Sequence, residues 1–168
     1  FALAVRNVNL YAHLKNPVYP APPLVITGIE FRDNPEIVPR WEIFKNSVVD
    51  SYFIIETIFK YASKSPRYTV FDFATRDSIY AKFNFYSPEN YKAPNQMELY
   101  ALRQFEIEYY ITGTLERDTA GANLTLVLVK FTTSGLSEVK KVDIKIEEDS
   151  KTHIDAVIEN AVDRLLSK

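Results

Sequence analysis

Residues 109–147 read YYITGTLERDTAGANLTLVLVKFTTSGLSEVKKVDIKIE. Three runs in this stretch, 109–116, 123–132 and 139–147, are rich in β-branched and aromatic residues, the composition of strands. Ala120-Gly121-Ala122 and Ser134-Gly135 separate them and suit hairpin turns. The third run alternates. Val142, Ile144 and Ile146 point one way, and Lys141, Asp143, Lys145 and Glu147 the other, as in a sheet with one buried face. The stretch predicts an antiparallel meander.

Past the meander the period changes from two to about 3.6. Ile154, Val157, Ile158, Ala161, Val162, Leu165 and Leu166 form one helical stripe. Thr152 with Asp155 reads as a capping box with Asp in place of Glu. Glu147, Glu148 and Asp149 complement the positive end of the helix dipole. Burying the larger side chains of the stripe contributes at most on the order of 10 kcal/mol before entropy.

Before the meander, 24–31 (LVITGIEF) reads as a buried strand and 32–39 as a loop with Asp33, Asn34 and two prolines. Residues 41–63 repeat Phe44, Val48, Tyr52, Ile55, Phe59 and Ala62 at spacings of three and four; Val49, Phe53 and Ile58 widen the stripe. That predicts a long, heavily buried helix. Residues 68–74 (YTVFDFA) read as a second strand, parallel to the first because a helix joins them. Short helices are expected over 77–85 and 96–105. The fold class is α/β (α+β): a mixed sheet of about five strands in the order β-α-β-α-α-β-β-β-α, with helices packed on it. Residues 1–23, with four prolines, form a Pro-rich N-terminal segment, and 24–168 one domain.

Composition narrows the function. The chain has 168 residues, 46% of them hydrophobic and 14% aromatic, enough to fill a core without metals or disulfides. Twenty basic and 22 acidic residues argue against nucleic acid as partner, since phosphate contacts need a concentrated basic excess. There is no cysteine, which excludes disulfides, thiolate metal sites and cysteine nucleophiles, and fits a bacterial periplasm handled without disulfides. The chain starts at Phe1 without Met, and the expectation is a trimmed or mature fragment.

Motifs for catalysis are missing. His13 and His153 are far apart, without partners at ligand spacing, so no metal site is expected. Four scattered glycines cannot build a phosphate-binding loop, and no G-x-S-x-G elbow occurs. No cofactor and no catalytic residue are assigned. Asp33 and Glu36 share the loop after the first strand, where α/β sites sit, and give the alternative of a small-ligand or carboxylate-based enzyme site. A solvated turn explains them as well. The distinctive feature is aromatic: Tyr80, Phe83, Phe85, Tyr86 and Tyr91 crowd beside Pro88, Asn90 and Pro94. Some of these rings belong to the core, and the rest suit a partner-binding surface, with Asp33 and Glu36 second.

The order of elements resembles the α/β domain of the TolB amino-terminal region, the CsgG-like secretion proteins, the flagellar proteins FlgO and FlgT, and the penicillin-binding-protein activator LpoB. LVITGIEF stands where these families have an IAVLPF-type strand, FEIEYYITGTL where they have ADYVLTGSV, and NLTLVLVKFTTSG where they have LTVTLRLVDTTTG. Glu106-Ile107-Glu108 replaces the usual Gly-Ala-Asp. The resemblance covers roughly 24–168. It implies a non-enzymatic binding or scaffolding module of a bacterial envelope assembly (secretion, flagellar, Tol or peptidoglycan-synthesis machinery). Other envelope proteins or a second copy would be its partners. It implies a periplasmic, even outer-membrane-associated, setting, with membrane attachment only through a lipid anchor upstream. An RNA-binding module of anticodon-domain topology is a further alternative, opposed by the charge. Within the resemblance, Gly113 is expected to admit a helix or a neighbouring backbone.

Overall fold

The structure, a computed structural model, describes residues 20–32, 47–86, 88–118 and 121–168. In chain order the elements are β1 (Pro23–Arg32), α1 (Ser47–Ala62), β2 (Thr69–Phe71), α2 (Phe73–Ala81), α3 (Gln96–Gln104), β3 (Tyr109–Asp118), β4 (Gly121–Thr132), β5 (Gly135–Ile146) and α4 (Lys151–Leu166). One mixed sheet runs β2-β1-β3-β4-β5. β1 lies parallel to both β2 and β3, and β3, β4 and β5 are the antiparallel meander. The fold class and element order read from the sequence are those observed.

The two sheet faces are covered unequally. α1 and α4 close one face over its whole width, where Leu24, Ile26, Ile111, Leu124 and Leu126 meet Ile54, Ile58, Ile154 and Ile158. α2 and α3 cover the other face over β1 and the start of β3, where Val25, Tyr110 and Val129 meet Ile79, Tyr80 and Leu102. Among the described residues no helix covers the rest of that face, on β3 to β5, which is mainly polar.

β1 changes register once. Ile26 pairs with Ile111, but Ile29 pairs with Gly113, so Thr27-Gly28 forms a bulge. The extra residue keeps Ile29 and Phe31 on the same core face as Leu24 and Ile26. β2 pairs only with Pro23–Val25. Beyond it the edge of β1 is met by the loop before α3: the Ile29 amide donates to the Asn90 carbonyl at 2.9 Å and the Phe31 amide to the Tyr91 carbonyl at 3.0 Å. Gly28 makes this approach feasible, because a β-carbon there would stand 2.0 Å from the Lys92 carbonyl oxygen. At Gly113 a β-carbon would stand 1.9 Å from the Thr125 carbonyl oxygen of β4, so the neighbouring backbone expected there is the adjacent strand.

Several local expectations are corrected. The strand expected over 68–74 stops at Phe71, because Asp72 caps α2: its carboxylate accepts from the Thr75 amide at 2.9 Å. The helix expected over 77–85 therefore starts at Phe73. In α1 the inward stripe is Ser51, Ile54, Ile55, Ile58, Tyr61 and Ala62. Val48, Val49 and Tyr52, on the stripe expected to be buried, are 50%, 61% and 44% exposed. Phe44, Asp33, Glu36 and residues 1–19 lie outside the described residues. The last helix is capped by Ser150, whose hydroxyl accepts from the His153 amide, and not by a Thr152–Asp155 box.

Asp155 instead ties α4 to α1. It accepts a short hydrogen bond from the Tyr61 hydroxyl and pairs with Lys60 at 3.0 Å. Those contacts hold its carboxyl below the usual carboxylate range, the Tyr61 bond first and the Lys60 bond second. A depressed native pKa stabilises the fold above the unfolded-state pKa, and the contribution is lost as pH falls through the native value.

Two outcomes are expected. Asp155→Asn should lower stability at neutral pH by about 1 kcal/mol, and denaturant titrations should show the deficit shrinking in acid. Gly28→Ala should cost about 3 kcal/mol by forcing the loop off β1, with the Ile29 and Phe31 amides losing protection from hydrogen exchange first.

Candidate functional site

The second-face helices and their connecting loop carry the aromatic cluster, and a buried arginine organises them. Arg76 of α2 is 1% exposed. Its guanidinium donates to the Ile26 carbonyl of β1 at 3.1 Å, to Asn90 Oδ1 of the loop at 2.8 Å and to Asp77 Oδ1 at 2.8 and 2.9 Å. It lies over the rings of Phe73 and Tyr80, at 5.0 and 5.5 Å. A buried cation is tolerated only when its donors are satisfied and a counter-charge is close, and both conditions hold here. The planar fork lets one side chain bind the helix, the strand and the loop together. All three nitrogens of the group donate, so Arg76 is a clamp and not a free ligand for substrate.

α3 is held with equal care. Asn95 accepts from the Met97 and Glu98 amides, and Glu98 returns a hydrogen bond from the Asn95 amide at 2.7 Å, closing a capping box. Burial pushes the Glu98 carboxyl above the usual range, partly opposed by that amide and by Arg76. Both helices end in the same way. Asn84 (φ 60) and Glu106 (φ 58) turn the chain left-handed. The Phe85 amide then reaches back to the Tyr80 carbonyl and the Ile107 amide to the Leu102 carbonyl, the Schellman pattern. The aromatic residue after the first turn packs on the helix it ends: the Phe85 and Tyr80 rings meet edge-on at 5.8 Å. Glu106 stands where the resembling families have glycine, the residue for which this backbone is unstrained.

The structure sorts the predicted contact residues. Tyr80 is completely buried, so it is a core ring and not a contact ring, a correction that follows from its place between Arg76 and Phe85. Burial pushes its hydroxyl above the ordinary tyrosine range. Phe83 and Phe85 are half-buried against the same core. Tyr91 is half-buried, and its hydroxyl donates to Glu89 at 3.0 Å. Tyr86 is 72% exposed. Asp33 and Glu36 lie outside the described residues.

Two further surface residues escaped the sequence expectation. Met97 and Tyr100, one turn apart on α3, are 53% and 51% exposed, and Tyr100 packs edge-on against Phe83 at 5.5 Å. The helical period holds the signal: Glu98, Ala101 and Leu102 are the inward positions, and Met97 and Tyr100 fall outside them. A second surface is the open sheet face, a shallow depression of about 720 Å³ lined by Arg32, Thr114, Asn123, Thr125, Lys141 and Asp143, among others. Its charges are mixed, and some are paired, as in Arg32–Glu30 and Lys141–Asp143. Among the described residues no group of three or more His, Asp or Glu side chains is gathered to hold a metal ion.

These features define an α/β fold like that of the LpoB C-terminal domain. The LpoB C-terminal domain from Escherichia coli superposes with a TM-score of 0.55 at 11% identity, over 83% of this chain and 93% of that one. The same domain from Salmonella enterica gives 0.52 at 10% identity, over 83% and 93%. TolB from Acinetobacter baumannii gives 0.46 at 13% identity, over 89% of this chain and 29% of that one. No protein-family profile matches the sequence, and no curated protein does. At these identities the likeness is one of fold.

Replacing Arg76 by Met should cost about 3 kcal/mol, because Asn90 Oδ1 and the Ile26 carbonyl lose their shared donor. Arg76→Lys should recover little of it, since an ammonium cannot fork to three partners. Chemical denaturation of the three proteins measures both.

Proposed function

We propose that this domain is a non-enzymatic protein-binding module of a bacterial cell envelope, acting in the periplasm, and that its partner contacts the outer face of α2 and α3. The observation that carries the proposal is the exposure of Tyr86, Met97 and Tyr100, each more than half open to solvent, with Tyr100 packed against half-buried Phe83. Rigid aromatic side chains anchored at their base and open at their tip are what protein interfaces use as anchors. The support beneath them is stiff. Arg76, the capping box and the two left-handed turns fix both helices before any partner arrives, which lowers the ordering cost of binding. The likeness in fold to the LpoB C-terminal domain supports the envelope setting.

Tyr86→Ala combined with Tyr100→Ala should weaken partner binding by about tenfold or more, while thermal unfolding shifts little. A photo-crosslinking residue placed at either position should capture the same envelope protein, and one placed at Thr152 on α4 should not. Unchanged binding by a folded double variant would move the interface elsewhere.

A further inference from the structure

β5 is the outer strand of the sheet, and among the described residues no other backbone pairs with its free side. A long open edge invites added strands, and proteins ordinarily guard such edges with charge. The charges here follow a rule. From 140 to 148 the chain reads KKVDIKIEE. Reversed about Ile144, every charge meets its opposite: Lys140 meets Glu148, Lys141 meets Glu147, and Asp143 meets Lys145. Val142 meets Ile146, and Ile144 meets itself.

We infer that β5 pairs antiparallel with β5 of a second copy of this chain, with the two-fold axis through Ile144, joining the two five-stranded sheets into one. This goes beyond the binding reading and stands apart from it, since β5 and the α2–α3 face are different surfaces.

The geometry favours this register over the others. Directly opposed residues of an antiparallel pair lie on one face of the sheet, so the axis of a symmetric pair must pass through a residue. An axis at Lys140, Lys141, Asp143 or Lys145 would set identical charges against each other. An axis at Val142 would oppose Lys141 to Asp143 but leave Lys140 and Lys145 facing Ile144 and Val139. An axis at Ile146 would oppose Asp143 to Asp149. Only the Ile144 axis matches every charge in the stretch.

The fold delimits most of that stretch: β5 ends at Ile146, and Glu147 and Glu148 continue the chain just past it toward α4. The β4–β5 ladder slips between Leu128 and Val129, which pair with Lys140 and Glu138, so Val139 is bulged out and the regular edge begins at Lys140. Ile144 is half-buried at the rim of the main core, and a second copy would cover it. The same charge order discourages a foreign strand, which would meet lysines without matching acids, and so separates self-pairing from aggregation.

Sedimentation equilibrium over a wide concentration range tests the inference. The wild-type chain should dimerise, and more weakly as salt rises. Lys141→Glu alone places like charges opposite each other twice, once in each half of the pair, as does Glu147→Lys. Each should raise the dimer dissociation constant about tenfold or more. The combined Lys141→Glu/Glu147→Lys variant should recover the wild-type value. These side chains are exposed, and circular dichroism checks the fold. As a second measurement, Ile144→Cys in this cysteine-free chain should cross-link on oxidation, because residues opposed across such a pair lie about 4.5–5.5 Å apart. A monomer at millimolar concentration overturns the inference. So does a dimer that ignores the single reversals, or one that the double reversal fails to restore.

Discussion

The carbonyl of Lys92 occupies the place where a β-carbon of Gly28 would stand. Much of the packing on the second sheet face depends on that contact. β2 is too short to cover the edge of β1, and the exposed amides of Ile29 and Phe31 need acceptors. The loop supplies them only because residue 28 has no side chain. With the loop pressed against β1, Asn90 comes within reach of Arg76, and Arg76 in turn closes on the Ile26 carbonyl just before the bulge. Strand, loop and helix are thereby locked by one close backbone contact and one buried cation.

That lock also explains where the surface aromatics are. α2 and α3 sit over only part of the second face, and their inward residues are used up by Val25, Tyr110 and the Arg76 cluster. The remaining rings of the segment point outward or lie at the rim. Phe83 is shared: it touches Phe105 beneath and Tyr100 at the surface. The other end of the same face is left to Thr, Asn, Lys and Asp side chains that satisfy each other, as Thr125 does with Asp143 at 2.6 Å. Among the described residues, the molecule thus presents an apolar rim on rigid helices, a polar sheet face, and an unpaired edge, each with different binding physics.

The meander and the last helix are legible in the sequence because their local signals agree with their burial. Strict alternation over Val142–Ile146 and the stripe from Ile154 to Leu166 each describe an element with one buried side. α1 is misread in its first turns because apolar residues at helical spacing show a face, not which other elements come to cover it. Tyr52 keeps the period and still lies open, reaching only the edge of Phe73 at 6.0 Å. The start of α2 is missed because Asp72 caps from within an apolar run, YTVFDFA, that looks continuous as a strand.

The sequence by itself determined the order of elements, the direction of the strands and the class of fold, since these follow from periodicity, turn residues and chain connectivity. It also located the aromatic segment. Only the tertiary structure decided that Tyr80 is core while Tyr86, Met97 and Tyr100 are surface, and that Arg76 is buried. It also decided that the bulge at Thr27-Gly28 realigns β1. The physical reason is common to all of them. Local pattern reports the preference of a residue for one side of its own element, whereas burial depends on which other element arrives there, and contacts such as Gly28 with Lys92 join positions far apart in the chain.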